Sequence, residues 1–332
     1  MREALQRAWL RRGWLARLLL PVALLFGLLV LVRQVLYRAG LLRREQLPVP
    51  VVVVGNILAG GTGKTPVVIA LVEHLKSRGI AAGVVSRGHG RRATDCREVT
   101  DMATADEVGD EPLLIARRCK VPVFVAKRRA DAGRALLAAY PGTQVILCDD
   151  GLQQYALRRD VEICVFDGRG VGNGWMLPAG PLREKWPRPV DLVLRADQVP
   201  GIAGFRVARR LANYAVRADG QRATLESLQE RGLTALAGIA RPEAFFLMLR
   251  ERGLLLVRTI ALADHHAISA PLPELPEKGA IICTEKDAVK LWRQRPDAWA
   301  VPLRLDIEAR FWTAFDGLLD AKLSSGHGFQ TA

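Results

Sequence analysis

The stretch from Val51 to Leu75, VVVVGNILAGGTGKTPVVIALVEHL, leaves the chain few folds to choose from. Val51 to Val54 form an unbroken β-branched run with no polar alternation, which reads as a strand buried on both faces. A glycine-rich turn follows at once, and then a helical pattern from Pro66 to Arg78. A strand that delivers the chain through such a turn into a helix N-terminus points backbone N–H groups at one spot, where the helix's partial positive charge adds to them. That is a site for phosphate. Gly60, Gly61 and Gly63 allow close backbone approach, with Thr62 between them; Lys64 can reach the β and γ phosphates, and Thr65 can ligate Mg²⁺. The strict spacing G-x-x-x-x-G-K-[ST] asks for a glycine where Leu58 stands. Gly60 and Gly61 supply the permissive turn two and three positions later, behind an entrance lengthened from Gly55, so the stretch reads as a P-loop with an unusual entry.

A P-loop needs a carboxylate nearby for the metal. QVILCDD supplies one, an apolar strand ending in Asp149 and Asp150 at the sheet's C-terminal edge. Further apolar runs, AAGVVSR, VPVFVA, VEICVFD and VDLVLRA, alternate with helical patterns such as Arg128 to Tyr140. The expected fold class is α/β, a P-loop NTPase-like, mostly parallel sheet with flanking helices. Near residue 200 the charges become mixed, and a second set of runs follows: LTALAGIA, PEAFFLMLRERG, LLLVRTIAL, GAIICTEKDAVKLWR and a final RFWTAFDGLLDAKL. The chain's 332 residues suit roughly two domains. The expected division is a segment 1–45, a P-loop core 46–200, and a smaller C-terminal α/β domain 201–332 that closes over the site.

By composition the first segment reads as an apolar membrane anchor, with a buried core helix as the plainer alternative, since Pro21 and Gly27 weaken a helix without excluding it. Leu18 to Val32 carries no charge, but at ~1.5 Å per residue it spans only ~22 Å, short of a ~30 Å hydrocarbon core. Arginines flank both ends, Arg2, Arg7, Arg11, Arg12 and Arg17 before and Arg33, Arg38, Arg43 and Arg44 after, so charge bias sets no direction of crossing. An anchor lying in one leaflet, its arginines on anionic headgroups, fits best. A cleaved signal peptide is disfavoured, because no small-x-small cleavage site clearly follows the apolar run. The formal net charge of +14 favours polyanions, yet nine of the arginines surround this segment and no nucleic-acid motif occurs, so nucleic acid is not an expected partner. Cys96, Cys119, Cys148, Cys164 and Cys283 show no C-x-x-C pair or zinc spacing and read as reduced structural thiols.

In order along the chain, GNILAGGTGKTP, SRGHGR, VGDEPLLIARR, CDDGLQ, PAGPLRE, ADHH and TEKDAVKL resemble the motifs of the bacterial lipid A 4′-kinase (tetraacyldisaccharide 4′-kinase) family. They run from residue 55 to 291, and the basic apolar N-terminus is similar to that family's membrane anchor. The resemblance implies transfer of the ATP γ-phosphate, with Mg²⁺, to the 4′-hydroxyl of a tetraacyldisaccharide 1-phosphate at the cytoplasmic face of the inner membrane. No obligate protein partner is implied.

Carried onto this sequence, the resemblance puts Lys64 and Thr65 on phosphate and Mg²⁺, Asp149 and Asp150 near the metal, and Gln153 within the shared nucleotide-site pattern. Asp110 matches the family's catalytic aspartate and His265 its partner in a dyad, with His265 chosen over His266 on the pattern alone. Glu184 matches a residue able to assist the metal, and Arg183 one able to meet the transferring phosphate. A carboxylate within reach of a sugar hydroxyl can take its proton as the bond to phosphorus forms, and a histidine can orient that carboxylate. His89 stands where the family commonly has tyrosine, leaving Arg87, Arg91 and Arg92 as anion candidates nearby. Plainer readings remain: Asp110 as a helix N-cap, Glu184 as a solvated charge. A rival function is a membrane-associated P-loop ATPase not acting on lipid, but its K-G-G-x-G-K-T loop would need lysine where Ala59 stands.

Overall fold

A computed structural model of the chain describes residues 9–197, 199, 201–263 and 279–326. Two helices, α1 (Trp14–Leu18) and α2 (Leu20–Arg38), precede the first strand, β1 (Val51–Gly55). The P-loop leads from β1 into α3 (Lys64–Ser77); then follow β2 (Ala82–Ser86), β3 (Arg97–Glu98), α4 (Ala105–Val108), α5 (Asp110–Cys119), β4 (Val123–Val125), α6 (Arg129–Ala139), β5 (Val145–Asp149), β6 (Val161–Phe166), β7 (Leu192–Arg195) and β8 (Phe205–Leu211). Beyond them come β9 (Tyr214–Val216), β10 (Arg222–Thr224), β11 (Leu233–Ala237), α7 (Pro242–Glu251), β12 (Leu256–Ala261), β13 (Ala280–Thr284), α8 (Glu285–Leu291), β14 (Trp299–Val301), β15 (Leu303–Ile307) and α9 (Ala309–Gly326).

Nine strands form one sheet in the order β15-β8-β7-β6-β1-β5-β2-β4-β3, parallel except at its two edges, where β3 and β15 run antiparallel. β1 lies between β5 and β6, which explains its unbroken valines: Val52 and Val54 pack with α3, α5 and α9, whereas Val51 and Val53 pack with α6 and the loops after β5. The register sets Val54 opposite Asp149, so the carboxylate leaves the sheet level with the entrance of the P-loop.

A six-stranded sheet, β10-β9-β14-β13-β11-β12, carries α7 on one face and α8 on the other. The division expected at residues 200 and 201 does not coincide with a change of sheet. β8 pairs with β7 and β15, and Phe311, Phe315 and Leu319 of α9 are fully buried in the first core. The change of texture near residue 200 marks an approach to the sheet's edge. FRVARRL buries Val207 and Leu211 but leaves Arg206, Arg209 and Arg210 exposed, one strand in from the edge strand β15, so it lacks the continuous apolar run of the central strands.

The apolar N-terminal helix is longer than its uncharged run. At 19 residues α2 spans ~28 Å, enough to cross a membrane by length and composition. It is docked along one side, though. Ala23 is buried, a Cβ at Gly27 would meet Met176 Sδ at 3.2 Å, Gln34 donates to the Tyr155 hydroxyl at 2.8 Å, and Tyr37 meets the Tyr155 ring at 5.8 Å. The other side exposes Leu24, Leu25, Leu28, Leu29 and Val32. Four of the cysteines are buried, Cys96 is exposed, and all five are free thiols.

Candidate active site

The loop departs from the strict P-loop spacing because Leu58 is fully buried and paired, not because the loop is loose. Leu58 bridges Leu182 in antiparallel fashion, Ala59 N–H donates to Pro181 C=O at 2.8 Å, and Arg183 N–H donates to Ile57 C=O at 2.7 Å. The position of the absent glycine is thus stitched to the PLRE segment. The turn itself begins at Gly60 (φ +92°), and Gly63 (φ +82°) caps α3, both in backbone conformations that a side chain disfavours.

At the head of α3, Lys64 Nζ lies 3.6 Å from Asp150, whose other oxygen is 3.5 Å from Arg183. Burial disfavours the Asp150 charge, yet Lys64, Arg183 and Arg129 together hold its carboxyl below the ordinary carboxylate range. Asp149 differs. Burial pushes its carboxyl up to about 8, with Glu111 and Asp150 acting in the same sense against Lys64 and Arg129. Both Asp149 oxygens are buried with no hydrogen-bond partner among the described residues. Orphaned carboxylate oxygens in a buried site are costly unless something meets them.

Arg129 carries the matching feature of opposite sign. It is 4 % exposed, and its Nη2 donates to the C=O of Asp150 at 2.9 Å and of Asp149 at 3.4 Å. Its Nε and Nη1 have no partner among the described residues. These groups open onto a cavity of about 730 Å³ between the two sheets, which Gly60 to Thr65, Gln153 and Arg183 line on one side and Ile239, Arg241, Phe245, Met248 and Lys286 on the other.

Mg²⁺ is well matched by these residues. It takes one or two carboxylates and completes its shell with water and substrate phosphate, which suits the free oxygens of Asp149 near Thr65 better than an all-protein cage would. Gln153 lines the cavity and donates to Asn56 C=O at 3.0 Å. Thr62 Oγ1 is buried with no partner among the described residues.

The remaining expected residues separate into groups. Asp110 is the first residue of α5 and not its cap, which is Gly109 (φ +93°). Its Oδ2 lies 2.5 Å from Lys290 Nζ, a contact made by α8 across from the second sheet. The neighbouring Glu111 lines the cavity, whereas Asp110 does not. His265 and His266 fall outside the described residues. Glu184 is 1 % exposed, so it is no solvated charge, and Arg188 donates to its Oε2 at 3.1 Å. Arg87 and His89 line the cavity, but Arg91 donates to Asp95 C=O at 2.7 Å and Arg92 pairs with Asp106 at 3.7 Å.

Arg129, Arg169 and Arg209 went unmarked in the sequence, whereas Lys290 stands in the TEKDAVKL motif with no role assigned to it. Arg129 sits in KRRADAG with no motif around it, and only the sheet order brings it under the Asp149 strand end.

The sequence matches the tetraacyldisaccharide-1-P 4′-kinase family over residues 15–322. It is 56% identical to the tetraacyldisaccharide 4′-kinase of Acidovorax sp. (strain JS42) over 327 residues, covering 98% of this chain and 97% of that one. It is 54% identical to the tetraacyldisaccharide 4′-kinase of Polaromonas naphthalenivorans (strain CJ2), covering both chains fully. Its structure is similar to that of LpxK from Aquifex aeolicus in complex with ATP, with a TM-score of 0.81, 27% sequence identity, and coverage of 93% of this chain and 99% of that one.

Proposed function

This chain belongs to the tetraacyldisaccharide-1-P 4′-kinase family, and from that premise we propose how its cavity performs the transfer. The protein is an ATP-dependent lipid kinase that moves the γ-phosphate of ATP to the 4′-hydroxyl of a tetraacyldisaccharide 1-phosphate, a lipid A precursor. The observation that carries the site assignment is the pairing of opposites in one cavity: orphaned oxygens on Asp149 and orphaned guanidinium nitrogens on Arg129, both beside Lys64. A phosphate and its metal meet both needs.

In this reading the amides from Gly60 to Lys64 and the Lys64 ammonium hold the β and γ phosphates. Asp149 and Thr65 hold Mg²⁺, which when bound neutralises charge on the phosphate oxygens. Arg129 and Arg183 stand ready for charge that shifts onto the transferring group, Arg183 being released from Asp150 as phosphate arrives. Asp110 takes the proton of the sugar hydroxyl, with His265 its partner. Glu184 is assigned a supporting role at the metal, since its Oε1 is buried without a partner among the described residues. The test is transfer of labelled γ-phosphate from ATP to tetraacyldisaccharide 1-phosphate in mixed micelles. Label on the lipid, lost in Lys64→Ala and Asp110→Asn, supports the reading, whereas ATP hydrolysis that leaves the lipid unlabelled favours a membrane-associated ATPase.

The enzyme works at the cytoplasmic face of the inner membrane, with α2 lying in the interface plane. A helix docked along its length by Ala23, Gly27, Gln34 and Tyr37 cannot enter the hydrocarbon alone, and the exposed leucines opposite, flanked by arginines, suit an anionic surface. The unit that closes over the cavity comprises residues 212–302, while β8, β15 and α9 stay with the P-loop core. Replacing Leu24, Leu28 and Leu29 with serine removes roughly 2 kcal/mol of burial per leucine and releases the protein from anionic vesicles, with ATP binding unchanged. Sedimentation unaltered by the triple change speaks for another membrane contact.

A further inference from the structure

Arg169 takes no part in the chemistry above, yet it holds the loop on which that chemistry depends. It follows β6 in the turn DGRG, residues 167–170, and its side chain is fixed from behind. Asp167, 3 % exposed, accepts from Arg169 N–H at 3.0 Å and from Nε through both carboxylate oxygens, each at 3.0 Å. The two terminal nitrogens then reach the P-loop: Nη1 donates to Ala59 C=O at 3.3 Å and Nη2 to Gly61 C=O at 3.0 Å. Arg209 of β8 continues the series, donating from Nη2 to Thr62 C=O at 2.7 Å.

Three carbonyls of the loop are therefore held by guanidinium groups on one side. In a planar trans peptide the C=O of one residue and the N–H of the next point in opposite directions. Holding the carbonyls of Ala59, Gly61 and Thr62 turns the N–H groups of Gly60, Thr62 and Gly63 the other way, as an anion cradle requires. The loop needs such help. Glycine loses more backbone freedom on being fixed than any other residue, and three of them stand between residues 60 and 63.

We infer that Arg169, fixed by Asp167, is a positioning residue that sets the peptide planes of the phosphate-binding loop before nucleotide arrives. The inference rests on the P-loop reading of the proposed function. Its experiment uses the full-length protein, with direct binding of ATP by calorimetry, steady-state kinetics on the lipid, and hydrogen exchange at residues 59–63. Arg169→Gln weakens ATP binding and raises the KM for ATP by about tenfold, the scale of one charged hydrogen bond, and speeds exchange in the loop. The KM for lipid stays within about twofold, because binding of the acceptor does not pass through this turn. Asp167→Asn, which loosens the arginine without removing it, shifts ATP binding in the same direction by less, and Arg169→Lys recovers only part of the loss because it lacks the two-pronged fork.

ATP affinity and loop exchange unchanged in Arg169→Gln and Asp167→Asn, with the wild type binding ATP and Lys64→Ala impaired, overturns the inference and leaves the P-loop intact. A fall in kcat with ATP affinity unchanged also overturns it, making Arg169 a contact of the transferring group. Failure of the wild type to bind ATP would instead bring down the reading on which the inference stands.

Discussion

Lys64→Ala lowers kcat/KM by a factor on the order of 10³ or more, while the protein stays folded. Lys64 is the first residue of α3, its side chain is 10% exposed, and its ammonium lies 3.6 Å from Asp150. Two losses combine in the variant. The phosphates lose a fixed positive charge inside a cavity where little water can replace it. Asp150 also loses its nearest cation except Arg183, so the arginine stays bound to the carboxylate when the transferring group needs it. Stability changes less than turnover, because Asp150 keeps Arg183 and Arg129 as compensating cations when Lys64 is removed. Rapid-quench transfer of labelled phosphate, paired with urea unfolding, separates the two quantities. Turnover within tenfold of wild type in a folded variant would mean that the phosphates do not sit where the loop suggests.

What the sequence disclosed about this site, and what it hid, follow from the distance over which each signal acts. The P-loop, the strand ending in Asp149 and six of the seven strands up to residue 195 were legible, since each is a local pattern with a local cause: an apolar run bounded by turn residues, or glycines ahead of a helix; the two-residue edge strand β3 has neither. The meaning of Leu58 was half legible. Glycines two and three positions on do supply the turn, but the pairing of Leu58 with Leu182, more than a hundred residues away, accounts for its side chain. No local pattern carries that.

The same holds for the arginines. Arg129, Arg169 and Arg209 come from the start of α6, the turn after β6 and the strand β8, and they converge only because the sheet order brings β5, β6 and the edge pair round the P-loop. In a chain with 48 lysines and arginines, one more arginine carries no mark of its own. The sheet to which β8 belongs was hidden for a related reason, since composition reports whether a strand is buried and not which sheet it joins. Lys290, the cation that holds Asp110, is likewise brought to it by the fold and not by any local pattern, whereas Arg188 stands only four residues from the Glu184 that it holds.

Asp110→Asn lowers kcat by about 10² to 10⁴, the range for removing a general base, and leaves ATP affinity within about twofold. The carboxylate is buried at the start of α5, where the helix's first turn favours negative charge, and Lys290 reaches it from α8 of the other sheet. The pair complicates a simple reading of any loss. Breaking a buried pair by removing one charge is costly on its own account, up to about 3–5 kcal/mol, so the single variant is expected to be less stable as well as slower. The double variant Asp110→Asn/Lys290→Met separates the effects, because it removes both members of the pair and recovers stability while restoring no base. Activity absent from both variants, with stability recovered in the double one, assigns Asp110 to the chemistry. Activity that returns with stability makes the pair a clasp between α5 and α8, and the proton of the sugar hydroxyl then has to leave by another group, with the cavity-lining Glu111 as the nearest carboxylate in sequence.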